Sequence, residues 1–304
     1  MPPTARDSKP ATRNANPWLL AVRLRTLPAA FAPVVLGCAF AISRHGFQII
    51  PAVLCAAFAL LAQVGANFAN DYFDFRRGAD APGRLGPTRA VSAGLISPRA
   101  MLAATFATLA LAGVAGLGLV AYGGWGLVFI GAASLLGALA YTPCAYYGLG
   151  ELFALVYFGF IAVIGTFYVQ IPLWPGFPGI WLVAAACGLL AANILLVNNI
   201  RDIPTDARAG KRTLVVRLGR PFGHVLYGFN VIFAGTIAGL LCAATFNAFT
   251  LAAAAVTIPL GVWLVCALTS TPNGDGPRFN RHLARSAQYL ALWAALMSAA
   301  IASA

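Results

Sequence analysis

The chain has 304 residues, of which 60% are hydrophobic and only 9% charged, with a mean hydropathy of +0.81. An ordinary soluble domain carries about 25% charged residues, so a water-soluble globule is excluded, and disorder, coiled coil and fibre are excluded with it. The net charge of +12 comes from 20 Lys and Arg against 8 Asp and Glu; in a bilayer protein such an excess belongs to loops on one membrane face rather than to nucleic acid binding.

The first 17 residues are polar, basic and proline-bearing, without an apolar run ending in a small-residue cleavage site, so no cleaved signal peptide is expected. Asn16 to Arg25 reads as a short interfacial helix with Trp18 at the headgroup level. Residues 1–26 are thus assigned to a basic tail and 27–304 to a single transmembrane domain. A hydrocarbon core of about 30 Å needs about 20 apolar residues per helix. That ruler finds nine spans, at 27–43, 49–69, 100–121, 125–142, 151–171, 179–200, 222–243, 249–269 and 284–303. Lipid offers no partners to unpaired backbone groups, so the expected fold is all-α, a polytopic bundle of nine transmembrane helices. The six cysteines are scattered through apolar runs, which suggests neither a disulfide framework nor a zinc site.

Under nine spans, 19 of the 20 basic residues fall on one side and only Arg44 on the other. This asymmetry predicts a cytoplasmic N-terminus and an external C-terminus. The two long connections, 70–99 and 201–221, both lie on the basic side.

Five of the eight acidic residues sit there in two clusters: Asn67, Asn70, Asp71, Asp74 and Asp80 after span 2, and Asn198, Asn199, Asp202 and Asp206 after span 6. Residues three or four apart share a helix face, so Asn67, Asp71 and Asp74 point together, as do Asn198 or Asn199 and Asp202. Asp206 joins them if the helix continues past Pro204, which either breaks it or starts a new one. Facing carboxylates require a cation between them. Oxygen ligands without His or Cys indicate a hard ion, Mg²⁺ before Ca²⁺, whose shell a substrate phosphate completes. Arg76, Arg77, Arg84, Arg89, Arg201, Lys211 and Arg212 occupy the same connections and are candidates to grip diphosphate oxygens. The two matching clusters, four spans apart, suggest a weak internal duplication with two halves facing a central cavity open to the cytoplasm.

Asn70-Asp71-x-x-Asp74 with Asp80, and Asp202-x-x-x-Asp206, resemble the two aspartate-rich motifs of the UbiA superfamily of intramembrane aromatic prenyltransferases. The span count and the motif positions are similar too. Arg23-Leu-Arg-Thr-Leu-Pro28, Arg84-Leu-Gly-Pro-Thr-Arg89, Tyr141-Thr-Pro143, Tyr147-Gly-Leu-Gly-Glu-Leu152 and Gly210-Lys-Arg-Thr-Leu-Val-Val-Arg-Leu-Gly219 look most like the branch that prenylates 1,4-dihydroxy-2-naphthoate in menaquinone synthesis. The first motif departs from many members in having Gly78 where they carry a third aspartate.

The resemblance implies a bacterial inner-membrane enzyme that transfers a polyprenyl chain from an allylic polyprenyl diphosphate to an aromatic acceptor, with Mg²⁺ as cofactor. The acceptor is the naphthoate, with loss of its carboxylate, or alternatively a 4-hydroxybenzoate or homogentisate type. Asp71, Asp74, Asp202 and Asp206 are then the catalytic carboxylates, and the Asn and Asp of both clusters, Asp80 included, are the metal ligands. Arg23 joins the diphosphate-binding set, and Tyr141, Tyr147 and Glu151 are acceptor-binding candidates. Tyr72, Tyr146, Tyr157 and Tyr168 are further candidates for cation stabilisation or belong to an interfacial belt. Glu151 either orients the acceptor hydroxyl or favours the positive N-terminus of span 5. A CDP-alcohol phosphotransferase would place its carboxylates in one contiguous run instead, and a transporter would place polar residues near mid-membrane.

Overall fold

A computed structural model of the chain describes residues 16–79, 85–245 and 247–303, and among these all regular secondary structure is helical. The interfacial helix is α1, Pro17–Val22, which begins on the Asn16 side chain accepting from the Trp18 amide at 3.0 Å. A 3-10 turn, Leu24–Thr26, leads into α2, Leu27–Ser43. Then follow α3 (Ile49–Arg76), α4 (Pro98–Gly123) and α5 (Gly126–Ala145). The next run is α6 (Gly150–Ala154), a π-helical stretch Leu155–Ile164, and α7 (Gly165–Gln170). The chain closes with α8 (Pro178–Arg208), α9 (Leu214–Thr245), α10 (Ala248–Thr269) and α11 (Gly276–Ala302).

Each predicted span coincides with one of these helical runs. Among the described residues, however, eight rather than nine are long and apolar enough to cross a membrane. The exception is α11, whose first half carries Arg278, Asn280, Arg281, His282 and Arg285. It packs on α2, α8 and α10 and buries Tyr289, Trp293 and Met297. A helix enclosed by protein need not be apolar all round, and the predicted ninth span, 284–303, falls on its less polar second half.

The described members of both acidic clusters lie on helix, not on loop. The connections 70–99 and 201–221 shrink to 77–97 and 209–213, because α3 and α8 run on beyond their apolar stretches. Their ends are built alike. At the end of α3 the Gly78 amide donates to Phe75 O at 3.1 Å and the Ala79 amide to Asp74 O at 3.0 Å. At the end of α8 the Gly210 amide donates to Ala207 O at 3.2 Å and the Lys211 amide to Asp206 O at 2.8 Å. Each is a Schellman closure around a left-handed glycine, φ +68° at Gly78 and +71° at Gly210. Gly78 thus has a backbone reason to be glycine, and Asp74 and Asp206 hold equivalent places in the last turn.

Pro204 does not break α8. Lacking an N–H, it leaves the Ile200 carbonyl without its helical donor, and Arg220 of α9 donates to that oxygen at 3.4 Å. Asp206 therefore stays on the same helix as Asp202.

The core lies around α8, which has 72% of its apolar window buried against 17% for α3. Leu36, Ile180, Leu196, Leu264, Leu290 and Trp293 form its centre between α2, α8, α9, α10 and α11. Polar ties cross it: Asn230 donates to Asn193 Oδ1 at 2.8 Å, the Trp293 indole to Ala234 O at 3.2 Å, and Tyr289 to Thr257 O at 3.1 Å. Inter-helix bonds of this kind contribute about 0.6 kcal/mol each in membrane bundles. On the outer surface Leu111, Val114, Phe129, Ile232, Leu240 and Val262 are exposed, an apolar area that water would not tolerate and lipid does.

α8 meets the π-helical stretch at two glycines. A Cβ on Gly188 would stand 2.7 Å from Leu155 O and 3.0 Å from the Gly159 Cα. Both are backbone atoms that cannot turn aside. Gly188→Ala is expected to cost about 1–3 kcal/mol and lower the melting temperature in detergent by several degrees. In Gly239→Ala, where a Cβ meets nothing within 4 Å, the melting temperature is expected to stay level or rise.

Candidate active site

A cavity of about 580 Å³ opens among α1, α2, α3, α5, the π-helical stretch and α8. Its lining on α3 runs from Cys55 to Asp74, about 28 Å of helix at 1.5 Å per residue. One end is apolar, with Val34, Phe58, Leu119, Leu127, Ile130 and Val169. The other is polar and carries Arg23, Asn67, Asn70, Asp71, Asp74, Arg89, Asn198, Lys211 and Asn280.

The polar end takes the last turns of α3 and Asn198 of α8; Asp202 and Asp206, further along α8, do not line it, though Lys211, the partner of Asp206, does. Asp71, Asp74, Asp202 and Asp206 are all buried, between 1% and 8% exposed. A helix C-terminus already carries partial negative charge, so four carboxylates there create a strong demand for cations. Arg89 pairs with Asp74 at 3.3 Å, and Lys211 with Asp206 at 3.4 Å. Arg201 grips Asp202 with two hydrogen bonds of 2.8 and 2.6 Å. The Ala90 amide donates to Asp71 at 3.2 Å. Tyr146 donates to the other Asp74 oxygen at 3.3 Å, with the Arg77 guanidinium 4.3 Å from its ring centroid. Burial first, and then the Asp74 carboxylate, push the Tyr146 phenol well above its usual range, so it stays a donor.

The amides form a second layer. Asn70 accepts from Arg23 at 2.8 Å and donates to Thr142 at 3.1 Å, tying α1, α3 and α5 together. Asn67 donates to Val22 O at 2.8 Å and to Thr26 at 3.0 Å. Asn198 accepts from Arg201, and Asn199 donates to Glu151 at 2.9 Å.

The predicted diphosphate-binding residues separate into three groups. Arg23, Arg89 and Lys211 line the cavity. Arg76, Arg77 and Arg212 are exposed around its rim. Arg201 is 1% exposed and makes four hydrogen bonds, to Asp202, Asn198 and Asn280; its guanidinium is a clamp within the protein. Asp80 and Arg84 lie outside the described residues. Among the acceptor candidates, Tyr141 lines the cavity, Glu151 is buried against Asn199 just behind it, and Tyr147 is 68% exposed and outside the cavity wall. Tyr157 lines the cavity too, whereas Tyr72 and Tyr168 do not.

Sequence reasoning passed over Gln63, Phe153, Phe158 and Asn280, all of which line the cavity. Gln63 is four residues before Asn67 and donates to it at 3.1 Å, and Phe153 is four before Tyr157, with ring centroids 5.4 Å apart. Helical spacing alone pointed to these two. Asn280 meets Arg201 only through the docking of α11, and no local signal marks it.

Among the described residues no three His, Cys, Asp or Glu side chains gather closely enough to hold a metal by themselves. The donors that do converge are carboxylate and amide oxygens, and Asn199 Oδ1 is buried with no hydrogen-bond partner. Such a set suits a hard cation that keeps coordination positions open for substrate oxygens.

A model of the UbiA prenyltransferase family matches residues 30–283. The 1,4-dihydroxy-2-naphthoate octaprenyltransferase of Mycobacterium tuberculosis is 42% identical over 234 residues, covering 75% of this chain and 78% of the relative. Among solved structures, a UbiA homolog from Aeropyrum pernix K1 shares the fold with a TM-score of 0.67 at 18% identity, over 90% of this chain and 96% of that one. A UbiA homolog from Archaeoglobus fulgidus bound to DMAPP and Mg²⁺ gives 0.63 at 17% identity, over 94% and 99%. The chain belongs to the UbiA prenyltransferase family and is a multi-pass membrane prenyltransferase.

Proposed function

We propose that this enzyme transfers a polyprenyl chain from an allylic polyprenyl diphosphate to 1,4-dihydroxy-2-naphthoate, whose carboxylate is lost as the chain is attached. One observation carries the reading: Asn67, Asn70, Asp71 and Asp74 of α3 and Asn198 of α8 stand at the polar end of a long apolar cavity, so one ligand with an anionic head and an isoprenoid tail fills both ends. The mycobacterial relative's name supports the naphthoate acceptor.

In this reading Asn67, Asn70, Asp71 and Asp74 from α3 and Asn198, Asn199, Asp202 and Asp206 from α8 hold Mg²⁺ against the diphosphate; Asp80 is assigned to the same set. Bound Mg²⁺ supplies Lewis-acid stabilisation of the charge that develops on the departing diphosphate. Arg23, Arg89 and Lys211 contact diphosphate oxygens, with Arg89 and Lys211 exchanging their carboxylate partners for the ligand. Arg76, Arg77 and Arg212 raise the local concentration of the anionic donor from the rim, and Arg201 keeps Asp202 and Asn198 in position. The allylic C–O bond breaks with its electron pair moving to the diphosphate. The resulting cation is stabilised by the aromatic wall of Tyr141, Phe153 and Tyr157, in a cavity whose apolar lining keeps water away from it. The electron-rich acceptor ring then forms the new C–C bond, with Tyr141 and Glu151 orienting its hydroxyl.

The site faces the cytoplasm of a bacterial inner membrane, with the N-terminus on that side and the C-terminus outside. The basic residues support this orientation, since under nine spans 19 of the 20 fall on one side of the sequence pattern. With the native cysteines replaced, a cysteine at Arg208 is expected to react with an impermeant maleimide only in inside-out vesicles, and one at Arg44 only in right-side-out vesicles; the reverse pattern overturns the orientation.

Purified protein given octaprenyl diphosphate, Mg²⁺ and each of 1,4-dihydroxy-2-naphthoate, 4-hydroxybenzoate and homogentisate is expected to release diphosphate and carbon dioxide with the naphthoate. Release with no acceptor of the panel sinks the transferase reading, and preference for a different acceptor sinks only the naphthoate. Asp71→Asn and Asp202→Asn are each expected to lower turnover by about 100-fold or more with helix content unchanged by circular dichroism. Full turnover in either variant removes that residue from the metal set.

A further inference from the structure

The helix glycines in contact with protein have visible packing reasons. A Cβ on Gly37 would stand 2.6 Å from Val163 O, one on Gly159 2.6 Å from Ala184 O, and one on Gly188 2.7 Å from Leu155 O. Gly116 and Gly137 line the cavity, but their space is filled by the rings of Phe58 and Tyr157. Gly131 and Gly165 differ. Both line the cavity, neither has a left-handed φ, and a Cβ built on either meets nothing within 4 Å. Glycine is disfavoured against alanine within a helix, and here neither backbone conformation nor a neighbouring atom calls for it. What the missing side chains leave open is the cavity itself.

Their positions say which part of the cavity. Along α5 the lining residues Gly131, Ser134, Ala138, Tyr141 and Thr142 recur at helical spacing. Thr142 marks the polar end through its hydrogen bond from Asn70. Gly131 lies eleven residues earlier, about 16 Å deeper along the helix. Gly165, the first residue of α7, continues the matching series after Ala154, Tyr157, Phe158, Ile161 and Ala162, and Thr166 and Val169 follow it. A short isoprenoid chain anchored at the motifs ends before these glycines; a long one passes between them.

We propose that Gly131 and Gly165 are chain-length determinants, keeping the deep channel open so that long polyprenyl diphosphates are accepted. The proposal rests on the prenyl-transfer reading and assigns the deep half of that same cavity. A side chain at either position starts into open space beside the channel, so leucine there is expected to shorten the usable channel while leaving the chemistry at the mouth intact.

The test compares turnover of geranyl and octaprenyl diphosphate, each with the naphthoate, in the wild-type protein, Gly131→Leu and Gly165→Leu. Gly126→Leu is the control: it lies on the same helix, a Cβ there also meets nothing within 4 Å, and it does not line the cavity. Both cavity variants are expected to keep geranyl turnover within about threefold of wild type and to lose octaprenyl turnover by about tenfold or more, the scale on which apolar pockets discriminate. The control is expected to keep the wild-type ratio. Gly131→Ala and Gly165→Ala, which fit the open space, are expected to move the ratio in the same direction by less, so a leucine variant of reduced thermal stability does not end the test. A wild-type ratio in all four cavity variants, or an equal shift in Gly126→Leu, overturns the proposal. A wild-type protein that turns over neither donor overturns the transferase reading instead.

Discussion

The rest of the site depends on one electrostatic constraint: four buried carboxylates sit at the C-terminal ends of two helices, where the backbone already contributes partial negative charge. Each carboxylate is unfavourable there by itself, and together they need positive charge from several directions. The protein supplies it from the same helices and the connections that follow them: Arg89 from the connection after α3, Lys211 from the connection after α8, and Arg201 from within α8. The same field makes the mouth receptive to a cation carrying an anionic ligand. Part of the excess of basic residues therefore serves to balance this negative focus.

Geometry doubles the arrangement. Asp74 and Asp206 occupy the same place in two Schellman closures, each completed by a left-handed glycine. The first aspartates lie three residues before on α3 and four before on α8. Between them on α8 stands Pro204, whose missing backbone bond is answered by Arg220 from α9.

Around this focus the bundle divides its labour. On one side of α8, close-packed side chains, polar ties and backbone-to-backbone glycine contacts build a dense core. On the other side the helices stand apart around the cavity. Glycine appears in both halves for opposite physical reasons: at Gly188 it lets two backbones meet, and at Gly131 it keeps them from having anything between them.

Much of this was legible without coordinates, because helical spacing and hydropathy are local. The span positions, the shared faces of Asn67, Asp71 and Asp74 and of Asn198 and Asp202, and the single basic side of the bundle all follow from residue order. Of the nine helical runs among the described residues only α11 is too polar to count among those apolar enough to cross a membrane, and it is packed against other helices, where polar residues are admissible. Tertiary structure alone sorted the arginines, sending Arg201 inward, Arg89 to the cavity wall and Arg76 to the rim. It likewise brought Asn280 to the cluster and left Tyr147 outside. Residue order by itself determined which groups share a helix face, since that is a matter of 3.6 residues per turn; which faces meet depends on how distant helices pack, and no local pattern encodes it.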